Sequence, residues 1–319
     1  MTANPLVSVI IPAFNTAGVI RQTLDSVRAQ TYQNYEVIVA DDGSTDDTAA
    51  IVRRLSASDV RFAVVSHAHS GISATRNRSI ESARGEWVAF LDSDDVWLPE
   101  KLSCQVEMVS RDPKVNFSFT NYFLWDGEKD LGVMYSKKER LPEGDVAAGL
   151  IFSNRFGIST VMVRRDILHQ AGLFDPQVDV CEDWDLWLRM ADCGLFAGGI
   201  RRPLVRYRRW AGSVSMNRMR TAQYNVLVLA KNMSASRRPE LLPLYQRSLN
   251  LFRSRRELAC ARQLLDSSPG KVPAAIWRAW RMNPREVKWL LRWLRSVWPE
   301  VLGGKFTAAS VHRKLCEKF

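Results

Sequence analysis

Short β-branched runs alternate with longer stretches of helical spacing through the first third of the chain. Val7 to Pro12 (VSVIIP) reads as a strand, and Val19 to Gln30 places Ile20, Leu24 and Val27 on one helical face. Glu36 to Ala40 (EVIVA) is a second strand, Asp46 to Leu55 a helix, and Arg61 to Ser66 a third strand. Ser73 to Ala83 is helical, Trp87 to Leu91 (WVAFL) is a fourth strand, and Pro99 suits the first turn of a helix running to about Ser110. Strands of this length alternating with such helices predict an α/β fold, a Rossmann-like and mainly parallel sheet flanked by helices.

Three of these strands run into polar, turn-rich loops: Ala13-Phe14-Asn15, Asp41-Asp42-Gly43 and Asp92-Ser93-Asp94. Ligands of open parallel sheets bind beyond the carboxyl ends of the strands, so these loops should converge on one crevice. Further on, Val115 to Thr120 and Thr160 to Arg164 give strand signals. From about 220 onward the chain reads as helices punctuated by prolines.

Composition changes this picture in two ways. The formal charge of +11 hides a division: residues 201–319 carry 26 Lys and Arg against 6 Asp and Glu, while the first two hundred carry 19 against 28. Such asymmetry suggests a basic appendage on a body with another job. Five scattered cysteines with no CxxC pair argue for a reducing compartment and against a zinc site. The N-terminus lacks the basic start and small-residue cleavage site of a signal peptide, and no apolar stretch approaches the ~20 residues of a membrane span. A cytoplasmic protein is expected.

The candidate chemistry centres on the end of the fourth strand. Asp92, Asp94 and Asp95 stand within four residues, and such crowding opposes folding unless something neutralises it. Oxygen ligands from a short loop suit a hard ion, Mn²⁺ or Mg²⁺, with positions left for phosphate oxygens. A solvated acidic turn is the alternative. Neither GxGxxG after the first strand nor GxxxxGK[ST] is present, which disfavours a dinucleotide dehydrogenase or a P-loop NTPase. A second acidic group, Glu182, Asp183 and Asp185, precedes an apolar helical run and should raise one of its own pKa values.

Five segments in order, VSVIIPAFN (7–15), VADDGSTDDT (39–48), GISATRN (71–77), GEWVAFLDSDD (85–95) and CEDWDLWLRM (181–190), together resemble the family 2 inverting glycosyltransferases of GT-A fold. The resemblance covers residues 5 to 215 and implies a catalytic domain over 1–219; the remaining residues, 220–319, read by composition and spacing as a basic, Trp-rich helical C-terminal region. It implies a nucleotide diphosphate-sugar donor wrapped by Pro12, Ala13 and Asn15. Asp42 would accept from the base ring nitrogen, favouring a UDP- or dTDP-type donor, and Arg76 would lie near the base or phosphates. Asp92 would hold the ribose side with Ser93 beside it, and Asp94 would ligate the metal. Asp183 would be the general base, with Glu182 the next candidate; an inverting transfer needs such a carboxylate to take the acceptor hydroxyl's proton. Asp95 is assigned to the start of the following helix.

One segment departs from the family pattern. In Tyr207 to Ser215, Trp210 stands where many relatives have a histidine near the diphosphate, so Arg208 or Arg209 would have to substitute. His67 and His69 lack a third ligand for a metal site, and Cys181 reads as a packing residue.

Five of the eleven tryptophans fall in the last fifty residues. Drawn as a helix, Arg285 to Trp298 sets Arg285, Lys288, Arg292 and Arg295 opposite Val287, Leu290, Leu294 and Val297, with Trp289 and Trp293 on the border. Over 271–319 this suits an in-plane helix on an anionic membrane surface, making the protein peripheral on the inner face of the cell membrane. The alternative is packing on the catalytic domain or on a second subunit of a homo-oligomer. No nucleic-acid module accompanies the charge, so nucleic acid is not expected as a partner.

The resulting expectation is a metal-dependent glycosyltransferase acting on a hydroxyl of a glycan or lipid-linked glycan in cell-envelope polysaccharide synthesis. A polyprenyl-phosphate glycosyltransferase and a non-catalytic nucleotide-sugar-binding scaffold are the competing readings.

Overall fold

The four leading apolar runs pair side by side as parallel strands: β1 (Val7–Ala13), β2 (Tyr35–Asp41), β3 (Phe62–Ser66) and β4 (Trp87–Phe90), in the order β3-β2-β1-β4. Every residue of β1, β2 and β4 is buried, as expected for strands covered on both faces. The covering helices are α1 (Ile20–Arg28), α2 (Thr48–Ser56) and α3 (Ile72–Ser82). Ile20, Thr23, Leu24 and Val27 form the buried stripe of α1, at the spacing of one helical face. Val7, Val9 and Ile11 pack with that stripe and with Val52 of α2, while Ser8 and Ile10 alternate to the other face.

The computed structural model describes residues 4–209, 217–268 and 271–283, and the chain divides into two compact units, one ending at Ser213 and one beginning at Val214. The first unit continues through β5 (Val96–Trp97), α4 (Lys101–Arg111), β6 (Phe117–Trp125), β7 (Asp130–Val133), β8 (Gly144–Asp145) and α5 (Ala147–Leu150). Then come β9 (Met162–Arg164), α6 (Arg165–Gln170), α7 (Glu182–Asp192) and β10 (Phe196–Arg208). All ten strands join one sheet, ordered β3-β2-β1-β4-β9-β6-β10-β5, with β7 on β6 and β8 on β10. Its second half is mixed: β9 runs antiparallel to β4 and β6, and β10 runs parallel to β6.

Two elements differ from the sequence reading. The thirteen-residue β10 is masked by its arginines and by Pro203, which sits where the register with β6 shifts, a place where a strand tolerates proline. Asp95 does not start a helix: β5 follows it and α4 begins only at Lys101, because the carboxyl of Asp95 is fully buried and bonded to β10 and Ser159.

The second unit holds α8 (Arg218–Ala235), α9 (Leu242–Ser267) and α10 (Val272–Met282), the helical C-terminal region the sequence predicts. Pro243 and Pro273 lie in the first turns of α9 and α10, where a missing N–H costs nothing. Ala261, Val272, Ala275, Ile276 and Ala279 make its apolar cluster, and Trp277 and Trp280 lie on α10. No described helix is long and apolar enough to cross a membrane. The segment Arg285 to Trp298 and residues 210–215 lie outside the described residues.

At the start of β4, Ser8 Oγ donates to Glu36 Oε1 at 2.7 Å and accepts from Gly85 N at 2.8 Å. A Cβ on Gly85 would stand 2.7 Å from Leu6 O and Ser8 N, both backbone atoms at the start of the adjacent strand β1. Gly85→Ala is therefore expected to destabilise the first unit by about 1–3 kcal/mol, read as a lowered melting temperature; an unchanged melt would refute this packing.

Candidate active site

The loops after β1 and β2 lock together. Asp42 N donates to Ala13 O at 2.9 Å, Asn15 N to Ser44 Oγ at 3.0 Å, and Thr45 N to Asn15 Oδ1 at 2.8 Å. Asn15 takes a left-handed conformation (φ 51°), which asparagine tolerates. Gly43 (φ 75°) lets the second loop pass beneath His69, whose backbone N would be 2.9 Å from a Cβ there. Pro12 and Ala13 are buried within β1.

Asp42 is buried and receives Ser70 N at 2.8 Å and Gly71 N at 3.0 Å, just before α3. Burial opposes its charge, yet these N–H groups hold the carboxyl below the usual range. Nδ1 of His69 lies 2.8 Å from it and Nδ1 of His67 3.4 Å. Both histidines thus serve Asp42, and His69 also stacks on the exposed ring of Phe14 at 4.5 Å.

The acidic turn after β4 is braced from three sides. Thr23 Oγ1 of α1 lies 2.9 Å from the carbonyls of Ser93 and Asp95. Ser159 Oγ donates to Asp95 Oδ2 at 2.5 Å and accepts from Asp92 N at 3.0 Å. From β10, Arg208 N donates to Asp95 Oδ1 at 2.8 Å and its Nε to Asp94 O at 2.8 Å. Burial, then the charges of Asp94 and Asp92, push the Asp95 carboxyl well above the usual range. That shift opposes the presence of three full charges in the turn.

Arg76 pairs with another of the three acids. Its side chain is 1% exposed, with Nη2 on Asp92 Oδ1 at 2.7 Å and Nη1 on Glu182 Oε1 at 2.6 Å. The ring of Phe174 lies 5.3 Å from the guanidinium. One cation from α3 thereby joins the acidic turn to the N-terminus of α7.

That N-terminus follows Cys181, held left-handed at φ 64°, a strained position for a non-glycine residue. Burial pushes the Cys181 thiol up, with help from Asp183 and Glu182, which disfavours the thiolate. Asp183 accepts from Asn154 Nδ2 at 2.9 Å. Burial and the Glu182 charge raise its carboxyl to about 7, against the opposing pull of the Asn154 amide, Trp184 N–H and Arg76. Tyr122 of β6 has its phenol raised by burial and then by Tyr135, Asp95 and Asp183.

The structure therefore brings Asp92, Ser93, Asp94, Arg76, Glu182 and Asp183 into one cluster, with Pro12, Ala13, Asn15 and Asp42 at the ends of the adjoining strands. Arg208 is committed to the turn, to Gln22 Oε1 at 2.8 Å and to the Trp125 ring at 4.2 Å. Sequence reasoning missed Thr23, Asn154 and Ser159, ordinary polar residues on elements whose register only the fold reveals.

Asp94 is half-buried. Among the described residues no group of three His, Cys, Asp or Glu side chains forms a protein cage for a metal. An all-oxygen donor such as Asp94, with Asp92 and Asp95 already compensated, fits a hard divalent ion that takes its other ligands from phosphate and water.

Comparison with known proteins agrees with this architecture. A family model described as "Glycosyl transferase family 2" matches residues 8–169. The chain is 37% identical over 227 residues to an Escherichia coli protein named UDP-Glc:alpha-D-GlcNAc-diphosphoundecaprenol beta-1,3-glucosyltransferase WfaP, covering 70% of this chain and 85% of that one. It is 34% identical over 220 residues to a Bacillus subtilis protein named putative teichuronic acid biosynthesis glycosyltransferase TuaG, covering 69% and 85%. In fold it resembles S. aureus TarS in complex with UDP-GlcNAc (TM-score 0.67, 20% identity, 88% of this chain and 82% of that one). It also resembles the mannosyltransferase PcManGT from Pyrobaculum calidifontis in complex with GDP-Man and Mn²⁺ (TM-score 0.61, 21% identity, 93% and 88%). With the sheet, the acidic turn and the matched sequence in agreement, this chain belongs to glycosyl transferase family 2 and is a glycosyltransferase of GT-A fold.

Proposed function

We propose that the protein transfers a sugar, with inversion, from a uridine- or thymidine-type nucleoside diphosphate donor to a hydroxyl of a lipid-linked glycan during synthesis of a cell-envelope polysaccharide. The observation that carries this reading is the Arg76 bridge, which ties Asp92 of the acidic turn to Glu182, the residue next to Asp183. The names of the E. coli and B. subtilis relatives, and the UDP-GlcNAc bound to TarS, support the acceptor and donor classes.

In this mechanism Asp183 takes the proton of the acceptor hydroxyl as its oxygen attacks the anomeric carbon. The bond from that carbon to the diphosphate breaks on the opposite face, and the electron pair leaves with the nucleoside diphosphate. Asp94 would hold Mn²⁺ or Mg²⁺, whose charge when bound lowers the energy of the departing diphosphate. Pro12, Ala13 and Asn15 shape the nucleotide pocket, Asp42 faces the base, and Asp92 with Ser93 lies on the ribose side. Arg76 acts through Asp92 and Glu182 rather than on phosphate, since both carboxylates already occupy it. Glu182, so paired, is left as a charge that tunes Asp183. A raised carboxyl suits a base that must return its proton near neutral pH.

Four outcomes follow. Asp183→Asn should lower kcat by about 10²–10⁴-fold with little change in donor affinity. Because Asp183 works only when ionised and its carboxyl sits at about 7, wild-type transfer should fall as pH drops below that value; a level profile from about pH 5 to about pH 8 would contradict the assignment. Asn154→Ala removes a hydrogen bond that holds this carboxyl down, so the acid limb should move to higher pH, and an unmoved limb would count against Asn154 as its partner. Asp94→Ala should abolish Mn²⁺-stimulated release of nucleoside diphosphate from the donor; release at the same background level by both proteins would leave a binding protein rather than this enzyme.

A further inference from the structure

Beside the active-site rim, the β6–β7 hairpin carries an apolar strip that catalysis does not use. β7 pairs with the second half of β6, Phe123 opposite Val133 and Trp125 opposite Asp130. All four residues of β7 are exposed. Leu131, Val133 and Met134 are 51%, 41% and 37% exposed, three of the nine large apolar side chains exposed among the described residues, gathered within four positions. Scattered single residues of this kind need no explanation, whereas a cluster does.

Cations outnumber anions around the strip. Lys129, Lys137, Lys138, Arg140 and Arg201 are exposed, Arg201 with Nη1 on the carbonyls of Ser136 and Glu139. Of the neighbouring acids, Asp130 pairs with Arg206 at 3.0 Å. Asp126 and Glu139 stay anionic, their carboxyls held low by N–H groups, and Glu128 is the fourth carboxylate, which leaves five cations against three anions. Apolar side chains ringed by cations match an anionic bilayer, where the former enter at headgroup level and the latter meet lipid phosphate. A stable protein interface buries roughly 800 Å² per partner, more than three side chains supply.

Register fixes where the strip lies. Trp125, opposite Asp130, carries the guanidinium of Arg208, the residue whose N–H holds Asp95. The strip is thus two strand spacings, about 10 Å, from a brace of the acidic turn. We propose that the β6–β7 hairpin is a contact site for an anionic membrane surface, holding the mouth of the active site against the leaflet that carries a lipid-linked acceptor. The purpose of this contact rests on the acceptor reading above, but the binding itself is testable without donor or acceptor.

The test is co-sedimentation of the full chain with vesicles of phosphatidylglycerol and phosphatidylcholine, and with phosphatidylcholine alone. Wild type should bind the mixed vesicles and bind phosphatidylcholine far more weakly. L131S/V133S/M134S should weaken binding about tenfold or more, and K137E/K138E by about fivefold or more for each lysine replaced. Both variants should keep the wild-type melting temperature and rate of donor hydrolysis. Wild-type binding by the triple variant would overturn the proposal, assigning any membrane contact to another part of the chain. So would a triple variant that binds vesicles normally but passes from dimer to monomer, since the strip would then meet a second copy. Loss of vesicle binding with donor hydrolysis absent from every protein would sink the enzymatic reading and leave the membrane contact standing.

Discussion

Arg76 donates one nitrogen to Asp92 on the turn after β4 and another to Glu182 at the head of α7, with its side chain closed off from water. The two carboxylates are 16 and 106 residues away in sequence, so this single cation is what makes one site from distant segments. Burial makes the arrangement obligatory rather than optional. Breaking a buried ion pair by removing one partner typically costs about 3–5 kcal/mol, because the other charge is left without compensation. In the proposed reaction that cost would fall between the donor-side and acceptor-side groups, whose spacing the bridge holds.

Much of the remaining architecture serves to make carboxylate crowding tolerable. The three acids of the turn meet three different fates. Asp92 is paired with Arg76, Asp95 is driven toward its neutral form by burial and bonded to Ser159 and β10, and Asp94 stays at the rim. Glu182 and Asp183 divide in the same manner, Glu182 taking the guanidinium while Asp183 rises to about 7. In each group one acid is paired with the Arg76 cation, and its charge helps to push a neighbour up. The strained conformation at Cys181 stands at the loop that enters this cluster, where stored strain is commonly found.

The α/β class and the first four strands were legible because β-branched runs and helical spacing are local signals. The acidic turn and the Glu182-Asp183 pair were legible because clustered charge at the end of an apolar run is costly enough to demand a reason. What could not be read were contacts set by the fold. Nothing local marks Arg76 as a buried bridge, Ser159 as the partner of Asp95, or Asn154 as the partner of Asp183. Asp95 was misassigned to a helix start because its neighbours suggested one, whereas burial under β10 decides its role. β10 itself hid behind arginines that a sheet edge and a binding rim both accommodate.

The most direct measurement of this account is a crystal structure of the protein soaked with a uridine diphosphate sugar and Mn²⁺. The account predicts diphosphate and metal together at Asp94, the nucleotide over the loops of β1 and β2, and Asp183 facing the anomeric carbon while Arg76 still spans Asp92 and Glu182. A nucleotide lodged in a cleft that excludes Asp183, or an Arg76 that leaves both carboxylates to grip phosphate, would contradict it.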